Sequence, residues 1–149
     1  MTEENNYYLI DSDAASKLHR GLLETPFFQN QCRLTEENIY ELRENNNIDC
    51  FSKHEIKINS EILLALPDVW DKVDYGDKIF DLYQNEGNAD LIIIATLLFE
   101  LKRNKSRLFS DDWVIVSDDK GLTAVAEKFS FSTMTSDDFM KFTEDNKLS

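Results

Sequence analysis

Little in this chain forces it to turn, and little in it can bind a soft metal. Of 149 residues, four are glycine and two are proline, so breaks are few, and no internal repeat, low-complexity tract or linker interrupts the run. The two cysteines, Cys32 and Cys50, lack CxxC spacing. With only two histidines, His19 and His54, beside them, a zinc site of soft ligands cannot be assembled. Any metal must be held by oxygen. The longest apolar stretch, Leu91 to Phe99, falls well short of the roughly 20 residues of a membrane span. The opening Met1-Thr2-Glu3-Glu4-Asn5-Asn6 has neither the basic nor the apolar region of a signal peptide. A cytoplasmic protein without membrane contact is expected.

Positive charge is also scarce. Sixteen Lys and Arg stand against 29 Asp and Glu, a net charge of −13, which argues against indiscriminate nucleic-acid binding because sequence-independent phosphate contact needs a basic surface. The one dense basic stretch is Lys102, Arg103, Lys105 and Arg107. It reads either as the cationic end of a helix, favoured by the dipole, or as a contact for a phosphate chain or an acidic partner. What the chain has in quantity is apolar content, 42%, enough for one domain over residues 1–149 with a sizeable core.

It also has acids at the ends of apolar runs. Asp11 follows Tyr7-Tyr8-Leu9-Ile10, Glu41 sits in Ile39-Tyr40-Glu41-Leu42, Asp90 precedes Leu91-Ile92-Ile93-Ile94, and Asp118-Asp119 follow Val114-Ile115-Val116-Ser117. If these runs are elements of one α/β domain, their ends converge on the sheet edge where open α/β folds hold ligands. Several carboxylates within a few ångströms raise one another's pKa and call for a cation.

Residues 6 to 11 read as a short buried strand ending at Asp11, followed by Ala14, Ala15, Leu18 and Leu22 at helical spacing. Thr25-Pro26 punctuates. Thr35-Glu36-Glu37-Asn38 resembles a capping box, weaker for ending in Asn, at the head of a helix carrying Ile39, Glu41 and Leu42 and closed by Asn45-Asn46-Asn47. Residues 60 to 66 and 73 to 83 look helical, with Pro67-Asp68 starting the second. After Gly87-Asn88, Leu91, Ile94, Ala95, Leu98 and Leu101 form one helical stripe, while Ile92, Ile93, Leu97 and Phe99 make the opposite face apolar too. Such a helix must be covered by a sheet and other helices or by a second subunit, which opens a homodimer. Trp113 to Ser117 is the clearest strand, and Leu122, Val125, Ala126 and Phe129 give the helix after it. Phe129, Phe131 and Thr133 share strand parity, and Thr135-Ser136-Asp137-Asp138 reads as the cap of a last helix. The sum is a three-layer α/β/α sandwich around a small parallel sheet.

In this order and at these intervals, the strand with Asp11-Ser12, Glu41 within Ile-Tyr-Glu-Leu, Asp90 in Gly-Asn-Ala-Asp-Leu-Ile-Ile-Ile-Ala, Val-Ile-Val-Ser-Asp-Asp-Lys-Gly-Leu and the closing Thr-Ser-Asp-Asp-Phe resemble the PIN domain family over nearly the whole chain. The resemblance implies an Mg²⁺- or Mn²⁺-dependent endoribonuclease acting on single-stranded or structured RNA, often the toxin of a toxin–antitoxin pair restrained by an antitoxin-like protein. It implies a catalytic set of Asp11, Glu41, Asp90 and Asp119. Asp11 and Asp90 would be direct ligands, Asp119 would match a Ser-x-Asp pattern with Ser117 buttressing its carboxylate, and Asp118 would be its rival. Glu41 would act through water. That chemistry needs no nucleophilic side chain.

Each residue has a plainer reading. Asp11 and Asp90 could cap the helices they precede, with Ser12 or Asp13 as substitutes at the first, and one of Asp118 and Asp119 must be a cap or turn residue. Glu41 shares its segment with Glu36, Glu37 and Glu44, which fits a solvated acidic face. His19 and His54 read as surface residues, and Trp70, Tyr75, Phe80 and Tyr83 read as core before base-stacking platforms. Two other functions stay open. Asp11-Ser12-Asp13 and Asp118-Asp119 also resemble the first and last motifs of haloacid-dehalogenase-like phosphatases, although that scheme leaves Glu41 and Asp90 idle. A PIN-like scaffold without activity, binding a basic partner, is the other.

Overall fold

The computed structural model describes residues 6–71, 88–104 and 112–148, with backbone alone at 70, 88–90 and 101–104. Five strands, β1 (Asn6–Ile10), β2 (Cys32–Thr35), β3 (Glu55–Ile56), β4 (Asp112–Val116) and β5 (Ser132–Met134), form one sheet in the order β3-β2-β1-β4-β5. Every pair is parallel, and β1 and β4 run in step from Asn6 opposite Asp112 to Ile10 opposite Val116. A parallel sheet needs helices on both faces, and alternate residues of the central strands feed two separate cores. Tyr8, Ile10 and Val116 join one cluster with Ala14, Leu22, Phe28, Phe51 and Phe139. Leu9 and Ile115 join the other with Ile62, Val69, Ile93, Leu97 and Val125. The expected three-layer α/β/α architecture is present.

The first core is covered by short helices: α1 (Ser12–Ser16), α2 (Arg20–Leu23), α3 (Pro26–Gln31), α4 (Glu36–Glu41), α5 (Ile48–Ser52) and the longer α9 (Ser136–Asp145). Phe28 is fully buried there, edge-on to Phe51 and to His54 with ring centroids 6.5 and 5.1 Å away. Truncating it to alanine would cost about 3–5 kcal/mol, the transfer loss plus the cavity. The second core lies under α6 (Ser60–Asp71), α7 (Asn88–Asn104) and α8 (Lys120–Lys128). Leu91 to Leu97 of α7 are all buried, against α6, α4, α8 and β2. Elements of the same chain therefore cover Leu91 to Leu97, while Leu98 and Phe99 are partly buried against the same core. No helix among the described residues is long and apolar enough to cross a membrane.

Several local expectations need correction. The stripe from Ala14 to Leu22 is broken: α1 stops at Ser16, and His19 caps α2 by accepting the Leu22 N–H on Nδ1 at 3.1 Å. The helix expected to end at Leu66 runs on through Pro67 to Asp71: the proline removes one backbone donor, and the apolar anchors Ile62, Ala65 and Val69 hold its flanks in the core. The last strand begins at Ser132, so Phe129 and Phe131 lie before it, stacked on each other at 5.9 Å. His54 is buried against Phe28 and is not a surface residue. Burial, with Arg33 and Lys53 nearby, keeps its pKa below the usual imidazole range. The helix expected over 73 to 83, and Tyr75, Phe80 and Tyr83 within it, lie outside the described residues, as do the side chain of Trp70 and residues Lys105 and Arg107.

Candidate functional site

Strand order reverses direction at β1, whose neighbours lead away on either side, and a cleft at the carboxyl ends of β1 and β4 is where such a sheet offers a site. The chain leaves β1 at Asp11 with extended backbone, φ −69° and ψ 151°, and its Oδ1 accepts the Ser12 N–H at 2.8 Å to cap α1. The plain capping role is therefore real, but it uses only part of the carboxylate. Oδ2 accepts from Ser117 Oγ at 3.0 Å, and Oδ1 also accepts from Asn38 Nδ2 at 3.2 Å. Asp11 is 4% exposed. Asn38 and Thr35, on the α4 side, are 0% exposed.

Glu41 reaches the same place from the far end of α4. Its Oε1 accepts from Ser12 Oγ at 3.1 Å and, weakly, from Asn38 Nδ2 at 3.4 Å. Asn38 lies three residues before Glu41, on the same helix face, and so meets both acids. Two separate bridges, Ser12 and Asn38, thus tie Asp11 to Glu41. Beside them an open recess of about 340 Å³ is lined by Ser12, Asp13, Ser16, Glu41, Leu42 and Asn45.

The electrostatics are those of two acids that burial and neighbouring carboxylates make harder to ionise. Burial is the largest force on Asp11 and pushes its carboxyl up to about 6, with Asp13 and Glu41 adding to the rise while Ser117 and the Ser12 N–H oppose it. Glu41 is raised as well, first by burial and then by Asp13 and Glu37, against the pull of Ser12 and Asn38.

The two acids after β4 are spent differently. Asp119 Oδ1 accepts the Gly121 and Leu122 N–H groups at 2.8 and 3.1 Å and caps α8, while Oδ2 takes part in neither bond. Asp118 has other partners: it pairs with Lys17 at 2.5 Å and accepts the Ser136 N–H and hydroxyl at 2.8 and 2.7 Å. Partial burial would raise Asp118, but Lys17 and Ser136 outweigh it and hold the carboxyl below its usual value. Ser117 buttresses Asp11, not the Asp119 carboxylate as expected: its Oγ accepts the Asp119 N–H at 3.0 Å and donates its proton to Asp11. Asp90 stands in the first turn of α7, and its side chain is outside the described residues. Lys102 and Arg103 fall in that helix's last turn, as a dipole-compensating role requires.

Among the described residues no group of three or more His, Cys, Asp or Glu is gathered to hold a metal. Two carboxylates are gathered, and that fits Mg²⁺ or Mn²⁺, which is commonly held by one or two carboxylates with water and substrate oxygens completing the octahedron. Three hydrogen bonds on Asp11 leave Oδ2 one lone pair of the group's roughly four. Sequence reasoning missed Asn38, noting it only as an imperfect capping position, because its contact with Asp11, 27 residues away, leaves no local signal. No family model matches the chain, and no curated protein matches it.

Proposed function

We propose that the chain is a PIN-like, metal-dependent endoribonuclease that hydrolyses RNA phosphodiester bonds. The observation that carries the reading is a buried aspartate at a parallel-sheet switch point whose carboxyl sits near 6, bridged to a second raised carboxylate with no cation side chain between them among the described residues. Structural aspartates are usually relieved of such a penalty by an Arg or Lys; functional ones keep it for a partner that binds.

Asp11 and Glu41 would hold Mg²⁺ or Mn²⁺. A bound dication lowers the pKa of water and neutralises phosphate oxygens. The chain's own work is then positional. Ser117 and Asn38 fix the Asp11 carboxylate, and Ser12 and Asn38 fix Oε1 of Glu41. Glu41 also lines the recess, and burial together with Asp13 and Glu37 raises its carboxyl pKa, which a bound dication would offset. Connectivity supports a part for Asp90. α7 packs against α4, which carries Glu41, and precedes β4 in the parallel sheet, so a first turn at the carboxyl ends of the strands suits the crossover. Asp119 would contribute only through Oδ2, and Asp118 is the poorer ligand because Lys17 already neutralises it. A toxin restrained by an antitoxin-like protein is the biological setting this activity suits.

Purified protein with Mn²⁺ should cut single-stranded RNA, stop with chelator, and lose activity in Asp11→Asn and Glu41→Gln. A phosphatase would instead hydrolyse a small phosphate ester and depend on Asp13. Neither activity, with a basic protein captured, would mean a scaffold and would end the nuclease reading.

A further inference from the structure

We infer that the Asn38 carboxamide is a positioning residue that sets the separation of Asp11 and Glu41 so that both serve one ligand; this rests on the metal-binding reading above.

The amide's orientation follows from its neighbours. Thr35 Oγ1 accepts the Asn38 backbone N–H at 3.2 Å as the cap of α4, and its own proton then goes to Asn38 Oδ1 at 2.8 Å. With Oδ1 facing Thr35, the NH₂ end must face the acids, and each of its two protons has one acceptor, Asp11 Oδ1 at 3.2 Å and Glu41 Oε1 at 3.4 Å. No rotation of the side chain would satisfy these groups as well, since the flipped amide would turn its oxygen on two carboxylates.

The clamp matters because the one other bridge among the described residues holds the pair less firmly. Ser12 is the other bridge, but its hydroxyl donates to Glu41 while its backbone N–H donates to Asp11, so its grip depends on the first turn of a five-residue helix. Asn38 and Thr35 are wholly buried, and both long bonds to the acids come from one rigid planar group. A neutral donor also leaves the pair its full negative charge for a dication, which an Arg or Lys at this position would cancel.

The test uses the full chain and Mn²⁺ alone. Calorimetric Mn²⁺ titration should show Asn38→Leu, of similar volume, binding about ten- to a hundredfold more weakly than wild type. Circular dichroism confirms that the variant is folded. Asn38→Ser, whose hydroxyl can reach only one acid, serves if the leucine variant does not fold and should also bind more weakly. In metal-free thermal unfolding, the effects of the position 38 change and Glu41→Gln should be non-additive, because each removes the same bridge. Additive effects, or Mn²⁺ affinity unchanged in a folded variant, overturn the inference. Wild-type protein that binds no Mn²⁺, with non-additivity retained, would sink the nuclease reading and leave the clamp standing.

Discussion

Ser117 Oγ donates to Asp11 Oδ2 across 3.0 Å, joining residues 106 positions apart in sequence at the carboxyl ends of neighbouring parallel strands. The same hydroxyl accepts the Asp119 N–H, so one side chain orders the aspartate of β1 and the turn that starts α8. Ser117→Ala should cost about 1–2 kcal/mol in stability, for one charged hydrogen bond and one orphaned N–H. It should also weaken Mn²⁺ binding, and a variant that loses stability yet binds Mn²⁺ as wild type would show Ser117 to be structural only.

Asp11 makes the protein less stable as pH rises. Its folded pKa near 6 lies above the ordinary 3.8, so between those values the native state holds more protons than the unfolded one, and stability falls with pH across that window. Two units correspond to about 3 kcal/mol as an upper value. Asp11→Asn removes the carboxylate, so in chelator it should unfold at a higher temperature than wild type at pH 7.5, with the gap closing toward pH 4. Nuclease activity should vanish in the same variant. Equal melting temperatures at pH 7.5 would refute the buried-anion account.

Metal addition should reverse that pH effect. Mn²⁺ should raise the melting temperature of wild type at pH 7.5, do little at pH 4 where Asp11 is protonated, and do little at either pH in Asp11→Asn.

Asp118 provides the contrast. Asp118→Asn should leave Mn²⁺ affinity within about twofold, the size of an ordinary surface effect. It should still loosen the tie from Lys17 to the start of α9 at Ser136, which proton-exchange rates in α9 would reveal. Loss of metal binding would return Asp118 to the ligand set.

His54 titrates in the opposite sense. Its folded pKa lies below the ordinary imidazole value, so its contribution is complete above about 6.5 and is lost as pH falls beneath it. His54→Leu should remove this loss of stability below pH 6.5; an acid limb of the melting curve unchanged from wild type would rule out the His54 contribution.

Long patterned segments announced themselves in the sequence. The all-apolar run of α7, the apolar β-branched run of β4 and the Thr35 and Thr135 caps each leave a local signature, and the structure has all of them. β2 and β3, with four and two residues, were invisible because no periodicity can develop over such lengths, and Arg33 sits in the middle of one. At the site, Asp11 and Glu41 stood out by their settings. Asn38 did not, since an amide between two acids 27 residues and three residues away is visible only once the chain has folded.

Both sulfur atoms lie in a single hydrophobic cluster, Cys32 at 0% and Cys50 at 8% exposure. Burial also drives the Cys32 thiol well above its normal range, so almost none of it exists as the reactive thiolate. An alkylating reagent can consume Cys32 only when β2 comes away from β1. Its labelling rate is therefore a built-in clock for opening of the sheet's centre, readable without any added probe.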